Sequence, residues 1–176
     1  MLDRIARLLR HRWFDQTALH RALPPAAMQR LTQRVRDSEA RHTGEVRIYI
    51  EAGLPNSYLL RGEGMPTLIR QRALTQFGKL RVWDTEQNNG VLIYLLLAER
   101  AIEIVADRGI ERHMTPERWQ ALLVRMRTAF RGGQFEDGLN LAIDDITAPL
   151  QQHFPRAAGE VDVNELPDAP VLGGAD

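Results

Sequence analysis

The chain has 176 residues, with 23 basic side chains balanced by 23 acidic ones and no cysteine. Zero net charge argues against nucleic-acid binding by a whole basic surface. The missing thiol excludes disulfides, cysteine nucleophiles and thiolate-ligated zinc. The 44% hydrophobic content, at this length, is that of one globular domain with a sizeable core, and no apolar run approaches the ~18–20 residues of a membrane-spanning helix.

Residues 2–14 read LDRIARLLRHRWF, which places Leu2, Ile5, Ala6, Leu9 and Trp13 on one helical face among Arg4, Arg7, Arg10, His11 and Arg12. Such a helix is expected to dock on its own domain or on a partner, with peripheral contact to an anionic membrane as the alternative. It lacks the apolar centre of a secretory signal, so the expected location is cytoplasmic or membrane-peripheral. Pro24 and Pro25 break the chain and open a second helix over 25–41, with Met28, Leu31 and Val35 at helical spacing and Gly44 beyond its end.

In residues 45–52, Val46, Ile48 and Ile50 alternate with Arg47, Tyr49 and Glu51, the period of two that marks a strand. A glycine-rich loop leads to a helix over 66–79, with Leu68, Ala73, Leu74 and Phe77 on its apolar face. Residues 91–97 form a near-continuous apolar run, as expected of a strand covered on both faces, and residues 101–106 pair with it as a hairpin. Thr115-Pro116 caps a helix whose stripe is Trp119, Leu122, Leu123, Met126 and Phe130, and Gly132-Gly133 ends it. A last helix runs from about 136 to 153. Residues 155–176 are rich in Pro, Gly, Asp and Ala and are expected to be a disordered acidic tail.

The element order gives a layered α/β domain over 25–154, preceded by a helical extension over 1–24. The helical crossover from residue 52 to 90 requires strands one and two to be parallel, joined right-handedly. The first two strands therefore begin, and the third ends, at one rim of the sheet. Glu39, His42, Asp84, Glu86, Asn88, Asn89, Asp107 and Arg108 converge there. Three uses fit these residues. They cap turns and pair locally. Alternatively Asp84, Glu86, Asn88, Asn89 and Asp107, with His42 and Glu39 nearby, ligate calcium or magnesium. In the third use, Asp84 and Asp107 act as nucleophile or base on a phosphate ester.

Residues 83–97 (WDTEQNNGVLIYLLL), 103–110 (EIVADRGI), 130–139 (FRGGQFEDGL) and 39–48 (EARHTGEVRI) together resemble the TPM domain family over roughly 36–154. The resemblance implies a three-layer α/β/α sandwich around a short mixed sheet. It also implies two kinds of activity. One is the acid phosphatase described for a thylakoid-lumen member linked to photosystem II repair; the other is the binding of calcium or related ions by bacterial members. The chain is most similar to a short cytoplasmic subgroup encoded beside a membrane-anchored TPM protein and a LemA-type protein, which are the partners implied. The family's Asp-Asn-Gly before the second strand corresponds to Asn88-Asn89-Gly90, where one carboxylate has become an amide.

Overall fold

The computed structural model describes residues 2–14, 16–157, 159 and 164–173. Its centre is a four-stranded mixed sheet built from β1 (Val46–Glu51), β2 (Val91–Leu96), β3 (Ala101–Ala106) and β4 (Val171–Gly173), in the order β3-β2-β1-β4. Strands β1 and β2 are parallel, with Val46 opposite Val91 and Glu51 opposite Leu96. The crossover between them carries α4 (Asn56–Leu59) and α5 (Met65–Lys79). Strand β3 returns antiparallel to β2, with Val91 opposite Ala106. A 3-10 turn over Leu97–Glu99 and a left-handed Arg100 (φ 46°) make that reversal.

Alternation along the strands supplies two cores. Val46, Ile48, Ile50, Val91, Ile93 and Leu95 face α3 (Pro25–Glu39), α7 (Pro116–Arg131) and α8 (Phe135–His153). Tyr49, Leu92, Tyr94, Leu96 and Val105 face α4 and α5. Helices on both faces make the three-layer sandwich, as expected. Leu19 of α2 (Gln16–Ala22) and Leu23 are fully buried in the first core, so this part of the segment read as an extension packs with the domain. The Thr115 cap is present: its Oγ1 accepts from the Arg118 amide, with Pro116 at the first helical position. Two further differences are local. Helix α3 ends at Glu39 rather than near 41, and a short α6 (Arg108–Glu111) follows β3.

All six residues of strand β1 are buried, the polar ones included. Its polar face meets partners far away in the chain. The Glu51 carboxylate accepts from Arg72 Nε at 3.0 Å and from the Tyr94 hydroxyl at 2.7 Å. Burial opposes the Arg72 charge, but the Glu51 hydrogen bond and field outweigh it and raise the guanidinium pKa. Burial first, and then the Glu51 charge, push the Tyr94 phenol above its usual range. Arg72 and Gln76 therefore occupy the buried face of α5, and Leu74, expected there, is exposed.

The reading of 155–176 as a disordered tail fails for residues 164–173. Residues 171–173 extend the sheet parallel to β1, with Tyr49 opposite Val171. Arg36 Nε donates to Asp168 Oδ2 at 2.7 Å, and Arg47 Nη1 donates to the Ala169 carbonyl at 3.1 Å. The Glu45 carboxylate accepts from the Glu165 and Leu166 amides, each at 3.2 Å. Paired charges and an open sheet edge hold this segment, with Leu166 as its buried apolar anchor in the second core.

Candidate functional site

Three segments meet where β1 and β2 begin and β3 ends. The Val91 amide donates to the Glu45 carbonyl at 2.8 Å, and the Asp107 amide donates to the Gly90 carbonyl at 2.9 Å. The Thr43 hydroxyl donates to Gln87 Oε1 at 3.1 Å and accepts from Asn89 Nδ2 at 3.3 Å. The entry to β2 and the exit of β3 therefore lie side by side, with the lead-in to β1 against them.

Local sequence explains this close approach. The Asn88 amide closes a turn onto the Thr85 carbonyl at 3.1 Å, and the Asn89 amide donates to Thr85 Oγ1 at 3.1 Å. Asn88 sits in the left-handed region (φ 53°), which asparagine tolerates better than most residues. A Cβ at Gly90 would collide with the Val82 carbonyl oxygen, and one at Gly109 would stand 2.7 Å from the Gln87 carbonyl oxygen. Only glycine lets these backbones touch. Asp107 caps α6, with Oδ1 accepting from the Arg108 amide at 2.7 Å. Arg108 Nη2 donates to Asn88 Oδ1 at 3.3 Å.

Two oxygens at this rim are left over. Asn89 is fully buried and Asp107 is 7% exposed, yet among the described residues Asn89 Oδ1 and Asp107 Oδ2 have no hydrogen-bond partner. A buried acceptor without a donor costs ~1–3 kcal/mol, and more when charged. Bare, inward-lying oxygens of this kind are the donors that hard cations take. Among the described residues no group of three or more His, Asp or Glu side chains is arranged to hold a metal ion. The unpartnered donors at this rim are therefore one amide oxygen and one carboxylate oxygen.

The remaining predicted residues divide into two groups. Asp84 and Glu86 stand exposed on the rim: Asp84 lies 3.8 Å from Arg81 Nη1, and the Glu86 amide donates to Glu165 Oε2 at 2.9 Å. Glu39 and His42 turn inward instead. Glu39 Oε1 accepts from the Val46 amide at 2.7 Å, fixing the start of β1. His42 is fully buried, with Nε2 hydrogen-bonded to Ser38 Oγ at 2.9 Å. Ser38 Oγ in turn bonds Thr147 Oγ1 of α8 at 2.6 Å. Burial, aided by the Arg41 and Arg156 charges and opposed by the Gly44 backbone, pushes His42 down to about 4. The Ser38–Thr147 bond braces α3 against α8, with His42 behind it.

Sequence reasoning missed Thr43, Thr85, Gln87 and Glu165. Thr85 stands four residues before Asn89, a spacing at which a hydroxyl can cap a turn. Glu165 left no local trace, because its partner amide is 79 residues away.

The family model for the TPM domain matches residues 17–148. The chain belongs to the TPM-domain family. Among solved structures, this TPM domain is similar to the BA42 protein of the psychrophilic bacterium Bizionia argentinensis, determined by NMR. The two are 26% identical, with a TM-score of 0.70 over 86% of this chain and 95% of that one. It also shares its fold with the N-terminal domain of a P. gingivalis protein, at 20% identity and a TM-score of 0.52, over 77% of this chain and 82% of that one. Comparison with functionally curated proteins gives no match. The family match begins at residue 17, so it takes in α2 as well as the three longer strands.

Proposed function

We propose that this TPM domain is a divalent-cation-binding interaction module, with calcium the favoured ion, held at the rim through Asn89 Oδ1 and Asp107 Oδ2. The observation that carries this reading is the pair of buried oxygens without donors on two touching segments. Calcium accepts carbonyl, amide and carboxylate oxygens in flexible geometry, whereas magnesium demands a near-ideal octahedron and keeps its water. A site with one carboxylate is a weak site, because affinity follows the charge of the ligand set. Main chain and water would supply the other oxygens.

Weak binding suits regulated contact better than a permanent structural ion. A partner offering a further carboxylate would complete the coordination sphere, and a membrane-anchored TPM protein or a LemA-type protein is the class of partner the resemblance implies. A phosphatase reading has less support. It needs Asp84 and Asp107 to act on one phosphorus atom, yet Asp84 is 53% exposed beside Arg81 and Asp107 already caps α6.

The test is thermal unfolding with and without calcium. Binding to the folded state alone raises the melting temperature by mass action. The rise should appear at millimolar calcium and vanish in Asp107→Asn, which keeps a capping oxygen. No rise in the unaltered protein, or an equal rise in Asp107→Asn, overturns the reading.

A further inference from the structure

We infer that the outward face of α1 (Leu2–Trp13) and the cleft between α1 and α2 form a docking surface for an anionic phospholipid bilayer. The helix sits on the domain through Arg7, Arg10 and His11, with Leu8 packed against the second core. Arg7 Nη2 donates to the Leu59 carbonyl at 3.2 Å, and the Leu54 amide donates to His11 Nδ1 at 3.0 Å. His11 Nε2 lies 3.0 Å from Glu99 Oε1, which Arg10 also reaches at 3.2 Å. Gly53 allows this approach, since a Cβ there would stand 2.5 Å from the His11 carbonyl oxygen.

At about 100° per residue, Leu9 and Trp13 lie roughly 200–240° round the helix from Arg7. They face away from the domain, 64% and 86% exposed. Two large apolar side chains left outside on one helix face are available to something else.

Charge selects the occupant. Residues 1–22 contain five arginines and two aspartates, a net charge of +3 in a chain whose total is zero. Arg12 and Arg21 line the cleft with Trp13, Phe14, Thr17 and Ala18. Both arginines are exposed, and neither has an ion pair or hydrogen bond among the described residues. Free guanidiniums beside a protruding tryptophan and leucine match a headgroup layer, where phosphate meets the acyl boundary. A second copy of the chain fits poorly, because a two-fold contact here would set one net-positive segment against another.

Sedimentation of the full chain with vesicles tests this. The protein should pellet with phosphatidylglycerol-rich vesicles at low salt and stay in the supernatant with pure phosphatidylcholine. Arg12→Glu/Arg21→Glu and Leu9→Ser/Trp13→Ser should each lower partitioning by about tenfold or more. All four side chains are exposed, so the melting temperature of both variants should match the parent, and light scattering should give a monomer. Absence from the anionic pellet overturns the proposal. So does equal binding to neutral vesicles, binding unchanged in both double variants, or a dimer abolished by Leu9→Ser/Trp13→Ser.

Discussion

The backbone of Gly109 is bonded to that of Asn88: its amide donates to the Asn88 carbonyl at 2.8 Å. That bond clamps the start of α6 onto the turn before β2 and sets the spacing of the proposed cation site. A Cβ at 109 would crowd the Asn88 and Gln87 carbonyls. Gly109→Ala is expected to cost ~1–3 kcal/mol, in the range of local overpacking, and to remove the calcium response. Gly62→Ala, where a Cβ meets nothing, should leave the calcium response intact. Urea denaturation of each variant with and without calcium checks both outcomes.

The buried Glu51–Arg72 pair is predicted to behave non-additively. Arg72→Ala leaves a buried carboxylate with the Tyr94 hydroxyl as its one remaining donor among the described residues, and breaking such a pair typically costs ~3–5 kcal/mol. Glu51→Leu/Arg72→Met removes both charges and should cost far less than the sum of its single changes. A double-mutant cycle by denaturant titration measures this. Additive losses would show that the two side chains act independently.

His42 supplies a pH dependence with a definite sign. Its folded-state pKa, about 4, lies below the ordinary 6.5, so between those values the unfolded chain binds more protons than the folded one. Stability from this source is complete above pH 6.5 and is lost as pH falls toward 4. At 1.36 kcal/mol per pKa unit its full size is about 3 kcal/mol. Denaturation midpoints from pH 4 to 7 should therefore rise with pH in the parent. The rise should be shallower in His42→Gln, and an identical slope in that variant would remove His42 as the cause.

Much of the architecture was legible because hydrophobic period encodes it. Val46, Ile48 and Ile50 mark one strand, and the helical crossover dictates its direction relative to the next. The rim was legible for the same reason, since topology alone brings Asn89 and Asp107 to one end. Two features were not. The burial of Arg47, Tyr49 and Glu51 is one, because their partners, Ala169, Val171 and Arg72, come from other parts of the chain. Strand β4 was invisible because Val171-Leu172-Gly173 is three residues long inside a polar segment and is anchored by the Arg36–Asp168 ion pair and by hydrogen bonds to that segment's backbone rather than by periodicity. The side chains chosen as ligands by residue type also divided. Asp84 and Glu86 are on the right loop but point to solvent, which spacing within a turn does not reveal.

Ending the chain after residue 163 strips β1 of its edge partner and leaves the Glu45 carboxylate without the Glu165 and Leu166 amides. The truncated protein is expected to unfold at lower denaturant and to associate with rising concentration through the bared strand. Sedimentation velocity at several concentrations reads this, and a monomer of unchanged stability would make β4 dispensable.

Charge at the rim should trade stability for affinity. Asn89→Asp adds a second carboxylate to a buried position and removes the Nδ2 donor to Thr43. Without calcium its melting temperature should fall below the parent's, and with calcium it should gain more. A variant that melts like the parent in both conditions would show that the Asn89 side chain does not face the ion.

The most direct measurement is a calcium titration followed by amide-resolved NMR. The account predicts saturable shifts centred on Asn88, Asn89, Gly90, Asp107 and Gly109, with little change at α1 or in the interior around Ser38 and Thr147. Amides at residues 88–90 and 107–109 that do not move at millimolar calcium, or shifts centred elsewhere on the molecule, would contradict it.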